Sequence, residues 1–239
     1  MPEDPVARSG EIAPIGTRTL RGQVVDRLRD LIITGQLEAG RRLTEMDLAK
    51  RLDVSRGPLR EAIRDLVEAG LLDSQPYKGL YVRRLTRRDL RELYSLRANL
   101  EAFAFRAAWD RRDRQSRTDL KDRLRRFHDA IDEGDDALSI RRELDIHSWV
   151  FERADHALLF EIWQRMRPRL QTYFTWHHRA NADLLPLKRG NDRYVELATG
   201  DDLDAMLRHL EDHMRQGLDQ VVSFLNQGEE EEDAAATQP

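Results

Sequence analysis

The chain has 239 residues, 40% hydrophobic and 35% charged, so it can bury a substantial core while staying soluble. It contains no cysteine, which excludes disulfides, cysteine-bound zinc and a thiol nucleophile. No segment approaches the ~20 apolar residues that span a bilayer, and the N-terminus lacks the apolar stretch of a secretory signal, so we expect a cytoplasmic protein without a membrane partner.

Charge is distributed unevenly along the chain, whose formal net charge is −4. Residues 17–84 carry 14 basic and 10 acidic side chains, whereas residues 85–239 carry 25 basic and 31 acidic ones. Phosphate attracts the first segment and repels the second, which favours a DNA-binding head joined to an acidic body.

The two ends of the chain have the composition of disordered segments. Residues 1–16 contain three prolines and two glycines among polar residues, which is typical of a flexible arm. Residues 228–239 include the acidic run Glu229–Asp233, which predicts a disordered, solvated tail.

Three short helices are predicted within residues 17–84. Apolar residues recur at helical spacing between Thr19 and Gln36, and Gly35 and Gly40 then break the pattern. The segment Thr44–Asp47 is a capping box that opens a second helix through Leu52. After a tight connection, a third helix is predicted. Ser55 is its expected N-cap and Gly70 its C-terminal stop. Its inward face consists of Leu59, Ile63 and Leu66.

A β-hairpin is predicted directly after the third helix. Two short apolar-rich segments, Leu71–Gln75 and Leu80–Arg84, flank the turn residues 76–79. Helix, turn, helix and hairpin in this order predict a winged helix-turn-helix, in which the second helix of the motif enters the major groove. Lys78 and Gly79 at the hairpin tip can follow the DNA backbone into the neighbouring minor groove.

Three arginines mark the third helix as the reading helix. Arg56, Arg60 and Arg64 recur every four residues and therefore share one face, opposite the apolar stripe. The first two lie in the opening turns, where free backbone N–H groups also meet phosphate, and Gly57 permits close approach of the backbone. The alternative is a solvated face on which the arginines pair with the helix's own acids, Glu61, Asp65 and Glu68.

After residue 84 the pattern becomes entirely helical. From Thr86 to about Asn226 we expect six helices, antiparallel because the connections are short. The predicted fold is thus mainly α, with a winged helix-turn-helix at 17–84 and an antiparallel helical bundle at 85–227. The predicted breaks are Arg112–Ser116, Gly134, Ala154–His156, Ala180–Pro186 and Gly200–Asp202.

The segments Leu28–Gly40 and Leu43–Leu66 resemble the GntR family of bacterial transcription regulators, and the Val-Ser-Arg-x-Pro-Leu-Arg-Glu-Ala core at 54–62 is its most specific part. The resemblance implies that Arg56, Gly57, Arg60 and the wing residue Gly79 contact operator DNA. Position 57 is usually threonine in that family, so glycine here removes a hydroxyl contact. The complete predicted DNA-contacting set is Thr44, Arg56, Gly57, Arg60, Arg64, Lys78 and Gly79.

The helical body resembles the FCD branch of the same family (the FadR C-terminal domain). Asp89–Glu101 is similar to its opening helix and Leu144–Leu159 to its central helix and turn. The resemblance implies a homodimer whose bundle binds a small organic acid and thereby resets the spacing of the DNA-binding heads. Members of that family more often repress until the ligand arrives, so we expect a repressor; the sequence leaves open whether the ligand releases the DNA or tightens the protein's hold on it.

Many FCD domains hold one divalent metal, of zinc or nickel type, on an Asp-x3-His pair and two later histidines. By this resemblance the ligand positions are Glu143, His147, Asn191 and His213, with asparagine replacing a histidine. An amide oxygen is a weak ligand for metals that prefer imidazole, so the predicted metal set is Glu143, His147 and His213. Nearby alternatives are Asp145, His209 and the pair His177 and His178.

The predicted effector site consists of Arg97, Glu143, His147, Asn191 and His213. Arg97 matches an arginine of the family's opening helix and would pair with an effector carboxylate; the alternative is an ion pair with Glu101, one helical turn away. Four aromatic residues are predicted first as core and second as pocket wall, namely Trp149, Trp163, Tyr173 and Trp176.

Three classes of function are compared on these features. The first is a ligand-responsive DNA-binding regulator. The second is a helical metal-dependent enzyme with an accessory winged helix, which the lack of a His-Glu-x-x-His motif or a partnered nucleophile disfavours. The third is a winged-helix scaffold that docks proteins, which would leave the arginine face without a purpose. The sequence favours the regulator, which is not an enzyme.

Overall fold

A computed structural model describes residues 19–75, 77–84, 86–180 and 183–236. The predicted flexible arm at 1–16, the turn residue Pro76, the boundary residue Leu85 and the last three residues of the predicted tail lie outside the described part.

The winged helix-turn-helix prediction for the N-terminal part is confirmed. Three helices and a hairpin follow one another as expected, with one further short strand between the first two helices. The elements are α1 Leu20–Ile33, β1 Arg42–Leu43, α2 Glu45–Leu52, α3 Arg56–Glu68, β2 Leu72–Gln75 and β3 Gly79–Val82.

Local side-chain chemistry sets the ends of α2 and α3. Thr44 caps α2 and accepts a hydrogen bond from the backbone N–H of Asp47 at 3.1 Å. Asp53 ends α2 in the left-handed region with φ 51°, which turns the chain sharply into α3. Ser55 stands at the N-cap of α3 but its side chain makes no capping hydrogen bond, so the predicted cap is corrected. The first N–H groups of α3 are thus left without that partner.

The small sheet is antiparallel with strand order β1-β3-β2. Leu72 pairs with Val82, and Leu43 pairs with Leu80. The sequence did not indicate β1, because two residues are too few to show the alternation of a strand. Gly40, with φ +83°, brings β1 to the sheet through a hydrogen bond from its N–H to the carbonyl oxygen of Val82.

The described residues of the helical body form the six helices expected from the sequence, with a short 3₁₀ turn at Trp109–Arg111. They are α4 Arg87–Ala108, α5 Arg114–Asp132, α6 Asp136–Arg153, α7 Ala157–Ala180, α8 Leu185–Thr199 and α9 Leu203–Ala236.

The C-terminal tail is helical as far as the structure describes it, which differs from the predicted disorder. α9 continues through Gly228 and the acidic run to Ala236. Glutamate and alanine are good helix formers, and one glycine costs only ~1 kcal/mol in a helix interior. The helix formed upstream therefore propagates through the tail.

The two parts of the chain have separate apolar cores. Trp149, Trp163 and Tyr173 are fully buried in the core of the body, and Phe151 stacks on Trp163 with ring centroids 4.2 Å apart. These three aromatic residues are core, as predicted first, while the side chain of Trp176 lies outside the described part. Within the described residues, no helix combines the length and apolar content that a bilayer crossing requires.

The winged helix contacts the body along α1 and the end of α3. Arg141 of α6 pairs with Asp30 of α1 at 3.1 Å, and Arg169 of α7 donates to the carbonyl oxygen of Ala69, directly after α3, at 3.4 Å. A cleft of about 620 Å³ lies beside this second contact, between α3, α4 and α7.

Candidate functional site

The outer face of α3 is a row of exposed arginines. Arg56, Arg60 and Arg64 are all exposed, and Gly57 is exposed between the first two. The opposite face is buried against α1, α2 and the sheet through Leu59, Ala62, Ile63 and Leu66. The basic side of α3 is therefore presented to solvent rather than packed against the protein's own helical body.

The acids of α3 do not neutralise this row. Asp65 accepts two hydrogen bonds from Arg21 of α1, the Nε bond measuring 2.7 Å, and Glu61 lies 3.7 Å from the same guanidinium. Arg60 instead pairs with Glu45 of α2 at 2.7 Å, in an exposed contact. In the described part of the chain, Arg56 and Arg64 have no ion-pair partner. The pairing expected of a merely solvated face is thus not the one observed.

The wing places a cation and an aromatic ring at its tip. Lys78 is exposed, and its carbonyl oxygen accepts a hydrogen bond from the Tyr81 hydroxyl at 2.9 Å, which fixes the turn. Gly79 has φ +114°, a conformation that other residues rarely adopt. Tyr77 is fully exposed at the tip, a position that no pattern in the sequence had indicated. The Thr44 hydroxyl is exposed but already bonded to the Asp47 carboxylate at 2.7 Å.

A polar cluster lies inside the helical body, centred on the buried carboxylate of Glu101 in α4. Three donors surround this group: Arg97 Nε at 3.2 Å, His147 Nδ1 at 3.0 Å and the Tyr194 hydroxyl at 2.5 Å. All four side chains are almost completely buried. The contacts bring α4, α6 and α8 together at one point.

A second buried carboxylate, Glu143 of α6, lies one helical turn before His147. One of its oxygens accepts a hydrogen bond from His178 Nε2 of α7 at 2.9 Å, and the other accepts from Asn191 Nδ2 of α8 at 3.3 Å. The Asn191 amide also donates to the carbonyl oxygen of Leu187 at 3.2 Å. Both oxygens of Glu143 are therefore occupied by protein donors.

The predicted site residue on α9 also reaches this cluster. The His213 ring lies 5.9 Å from the His147 ring, and the His209 ring lies 5.6 Å from that of His213, both measured between centroids. The structure thus brings together all five side chains predicted for the effector site. It does not bring in Asp145, which is half-buried and pairs with Arg142 and Arg167.

Burial and pairing set the protonation states of the cluster. Burial alone raises the pKa of the Glu101 carboxyl, but His147 and Arg97 outweigh it and hold that pKa at about 2. Burial is likewise outweighed at Glu143, mainly by His178, and its pKa is also about 2. Burial lowers the pKa of His147, and it lowers that of His213 to about 3 with help from His147 and Arg97. At neutral pH the two carboxyls are charged, and the imidazole of His213 is neutral.

Several buried polar atoms in the cluster have no hydrogen-bond partner in the structure, namely Arg97 Nη2, His147 Nε2, Asn191 Oδ1 and His209 Nε2. A buried polar atom left without a partner costs ~1–3 kcal/mol, so such atoms are rare in packed interiors. Four of the unpartnered atoms thus belong to this one cluster.

The predicted metal set does not fit these contacts. Among the residues that the structure describes, no three histidine, aspartate or glutamate side chains are grouped so that they could hold a metal ion. Glu143 has both oxygens engaged, and Asn191 offers only an amide oxygen, which zinc and nickel bind weakly. His147 and His213 alone do not make a structural or catalytic metal centre.

Two members of the cluster were not singled out from the sequence. Glu101 entered only as an alternative partner of Arg97, and Tyr194 did not enter at all. The signal for Glu101 was its position, since it lies with Arg97 on the buried stripe of α4. No comparable signal marked Tyr194, because a tyrosine at helical spacing reads as core.

A winged helix with an open basic reading face, joined to a helical body with a charged interior, defines a DNA-binding transcription regulator. Residues 20–82 match the family described as bacterial regulatory proteins, gntR family, and residues 92–216 match the FCD domain. The chain belongs to the FCD branch of the GntR family, and it is a regulator rather than an enzyme.

Individual relatives agree with this family. The chain is 28% identical over 213 residues to the uncharacterized HTH-type transcriptional regulator YdhC of Bacillus subtilis, covering 87% of this chain and 93% of that protein. It is 27% identical over 194 residues to the gluconate operon transcriptional repressor of Bacillus licheniformis, covering 79% of each. The solved structure of E. coli McbR/YncC has the same fold, with a TM-score of 0.73 and 23% identity over 87% of this chain and all of that one.

Proposed function

We propose that the protein is a dimeric repressor that binds an operator through α3 and the wing, and that a small carboxylate in the polar cluster releases it. The observation that carries the proposal is the outward row of Arg56, Arg60 and Arg64, two of which have no ion-pair partner in the described part of the chain. Guanidinium groups on such a helix suit bidentate contacts to guanine edges and to phosphate.

Residues around α3 extend this surface. Gly57 leaves open space above the helix, because a Cβ built there would meet nothing within 4 Å. The uncapped N-terminus at Ser55 leaves backbone N–H groups for a phosphate oxygen. Lys78 and Gly79 of the wing, and Thr44 at the start of α2, complete the proposed contact set.

Two heads are needed to read the two half-sites of an operator, which supports a homodimer. The helical body has exposed apolar side chains that suit this role. Leu96 and Phe103 of α4 share a face and are 50% and 46% exposed, and Leu158 of α7 is 61% exposed. Phe103 lies beside α7, with its ring 5.5 Å from that of His156. Light scattering should report a dimer for the wild type and a monomer for Phe103→Glu.

The release step is supported by the relatives and by the buried cluster. The Bacillus licheniformis relative is named as a repressor of the gluconate operon, and gluconate is a carboxylate. Arg97 Nη2 is a buried donor without a partner, as a carboxylate-binding guanidinium would be before the ligand arrives. A metal has no place in this proposal, since the donor set does not fit one.

The test of DNA reading begins with an operator selected from a random duplex library by the wild-type protein. In fluorescence anisotropy, Arg60→Ala should weaken operator binding by ~1–3 kcal/mol if the residue reads a base. Lys78→Ala should weaken binding to all duplexes alike and reduce the salt slope by about one, as expected of a phosphate contact.

The matched control is Arg165→Ala, which removes an exposed arginine from α7 that pairs with Glu161. It should leave operator affinity unchanged. Operator affinity that survives the simultaneous loss of Arg56, Arg60 and Arg64 would refute the proposed reading face.

A further inference from the structure

A further cleft, of about 570 Å³, lies where the winged helix meets the helical body. Its volume is in the range of small-molecule sites. Helix α1 forms one wall, and helices α6 and α7 form the other, so a molecule bound there would contact both parts of the chain. The charged and buried polar residues that line this interdomain cleft are Asp26, Arg29, Asp30, Arg141, Arg167 and Gln171.

Three different helices each contribute an arginine to the interdomain cleft. Arg29 of α1 pairs with Asp26, one turn earlier on the same helix, at 3.0 Å. Arg141 of α6 pairs with Asp30 at 3.1 Å, and Arg167 of α7 pairs with an aspartate of α6 at 3.0 Å. Each guanidinium uses a single nitrogen in its pair, although it carries five N–H donors. Most of these donors therefore have no protein acceptor in the described part of the chain.

A buried polar side chain without a partner also lines the cleft. Gln171 is only 8% exposed, and among the described residues its side-chain amide has no hydrogen-bond partner. It lies one helical turn after Arg167, so the amide and that guanidinium share a face of α7. On α1, Arg29 Nε is likewise buried without a partner. Because unpaired buried polar groups cost stability, a ligand that bonds the amide would remove that cost.

The open groups of the cleft favour an anion. Arg29, Arg141 and Arg167 outnumber the two lining aspartates, and both aspartates are already paired. An amine or a metal cation would have to displace an arginine from its acid. The open N–H donors suit a group with several acceptor oxygens. A phosphate monoester has three such oxygens and nearly two negative charges at neutral pH, and the guanidinium fork matches its geometry.

We propose that the interdomain cleft binds the phosphate monoester of a small sugar or polyol. The phosphate accepts hydrogen bonds from Arg29, Arg141 and Arg167. The rest of the cleft holds the polyol, and the Gln171 amide, which both donates and accepts, bonds one of its hydroxyl groups. This site is separate from the polar cluster, and the proposed function does not depend on it.

The experiment is isothermal titration calorimetry on the full-length protein in a buffer free of phosphate and sulfate. The probes are glycerol 3-phosphate, ribose 5-phosphate and glucose 6-phosphate. Each is compared with its dephosphorylated form and with the acid that carries a carboxylate at the phosphorylated end, such as glucuronate for glucose 6-phosphate. At least one phosphate monoester should bind with one ligand per chain. Both of its counterparts should bind about 10-fold more weakly or worse, since each loses charge-assisted hydrogen bonds.

Two variants assign the binding to the cleft. Arg29→Gln should weaken it by about 10-fold or more, and Gln171→Leu by about 3-fold or more, as expected for the loss of a charged and a neutral hydrogen bond. Without ligand, Gln171→Leu should melt at the wild-type temperature or above, because the amide has no protein partner to lose; a merely structural glutamine would lower it. The matched control is Arg125→Gln on α5, which breaks an ion pair of the same spacing with Asp122 and should bind like the wild type.

The proposal is overturned if no phosphate monoester binds, or if each binds no better than its dephosphorylated or carboxylate counterpart. It is also overturned if both cleft variants bind like the wild type, since the ligand would then lie elsewhere. Operator binding is measured on the same preparation without phosphate. A protein that holds its operator but fails these tests would remove this inference alone.

Discussion

The substitution Glu101→Gln tests how the polar cluster stabilises the helical body. It preserves the shape of the side chain and removes the charge that Arg97, His147 and Tyr194 surround. The carboxylate is completely buried, so solvent does not screen its interactions. Its loss should therefore cost far more stability than the loss of a surface carboxylate.

The magnitude follows from the pKa of Glu101, which is about 2 in the folded protein against an ordinary value of 4.5. Since one pKa unit corresponds to 1.36 kcal/mol, the charged form contributes ~3 kcal/mol to the free energy of unfolding at pH 7. The folded pKa is the lower one, so this contribution is complete above pH 4.5 and is lost as the pH falls toward 2. The deficit of the variant should shrink over the same range.

Urea unfolding followed by tryptophan fluorescence measures this effect in the body, because all four tryptophans lie beyond residue 84. The matched control is Glu92→Gln, on the same helix and also one turn from an arginine, Arg88, but exposed. The control should leave the unfolding midpoint unchanged. Equal midpoints for both variants at pH 7, or a deficit of Glu101→Gln that does not diminish on acidification, would refute the reasoning.

Two further predictions concern acid stability and glycine conformation. His213 has a folded pKa of about 3 and takes up a proton below 6.5 when unfolded, so stability should fall from pH 6.5 downward by ~1.4 kcal/mol per pH unit for this residue alone. The variant His213→Gln should show a shallower decline in urea titrations between pH 6.5 and 4.5, and an unchanged slope would contradict the assignment. Gly70→Ala should destabilise the protein by ~1–2 kcal/mol, because Gly70 has φ +71° and its new Cβ would lie 2.7 Å from Arg169 Nε. Gly57→Ala, exposed and helical with open space, should instead stabilise by ~0.5–1 kcal/mol, and thermal melts that rank the two alanine variants the other way would count against this account.

The sequence predicted the helices well because their signals are local. The N-cap at Thr44, the stop at Gly70 and the break at Gly134 each act over a few residues, and all appear at the expected places. The full capping box predicted at Thr44–Asp47 does not form, because the Asp47 carboxylate bonds the Thr44 hydroxyl. Strand β1 was not predicted, because it is a strand only through its pairing with β3. That pairing is a long-range contact, and a segment of two residues carries no local pattern that indicates it.

In the candidate site, too, the features set by local sequence patterns were predicted and those set by long-range contacts were not. The arginine face of α3 follows from helical spacing, and the gathering of Glu143, His147 and His213 was expected from the family resemblance. The sequence could not predict which hydrogen-bond or ion-pair partner each polar side chain has in the folded protein. Asp65 pairs with Arg21 rather than with its own helix, and His178 bonds the carboxylate that a metal would have needed.

Helix α7 contacts both the polar cluster and the winged helix. Phe174 and His178 of this helix line the charged interior. Arg169 lies about 13 Å before His178 along the helix axis, at 1.5 Å per residue. Its side chain donates a hydrogen bond to the carbonyl oxygen of Ala69, the residue that follows the reading helix. Pro168 lies beside Arg169 and removes one backbone hydrogen bond from the helix at that point. The backbone ladder of α7 is therefore interrupted at the level where this helix contacts the winged helix, and not where it lines the charged interior.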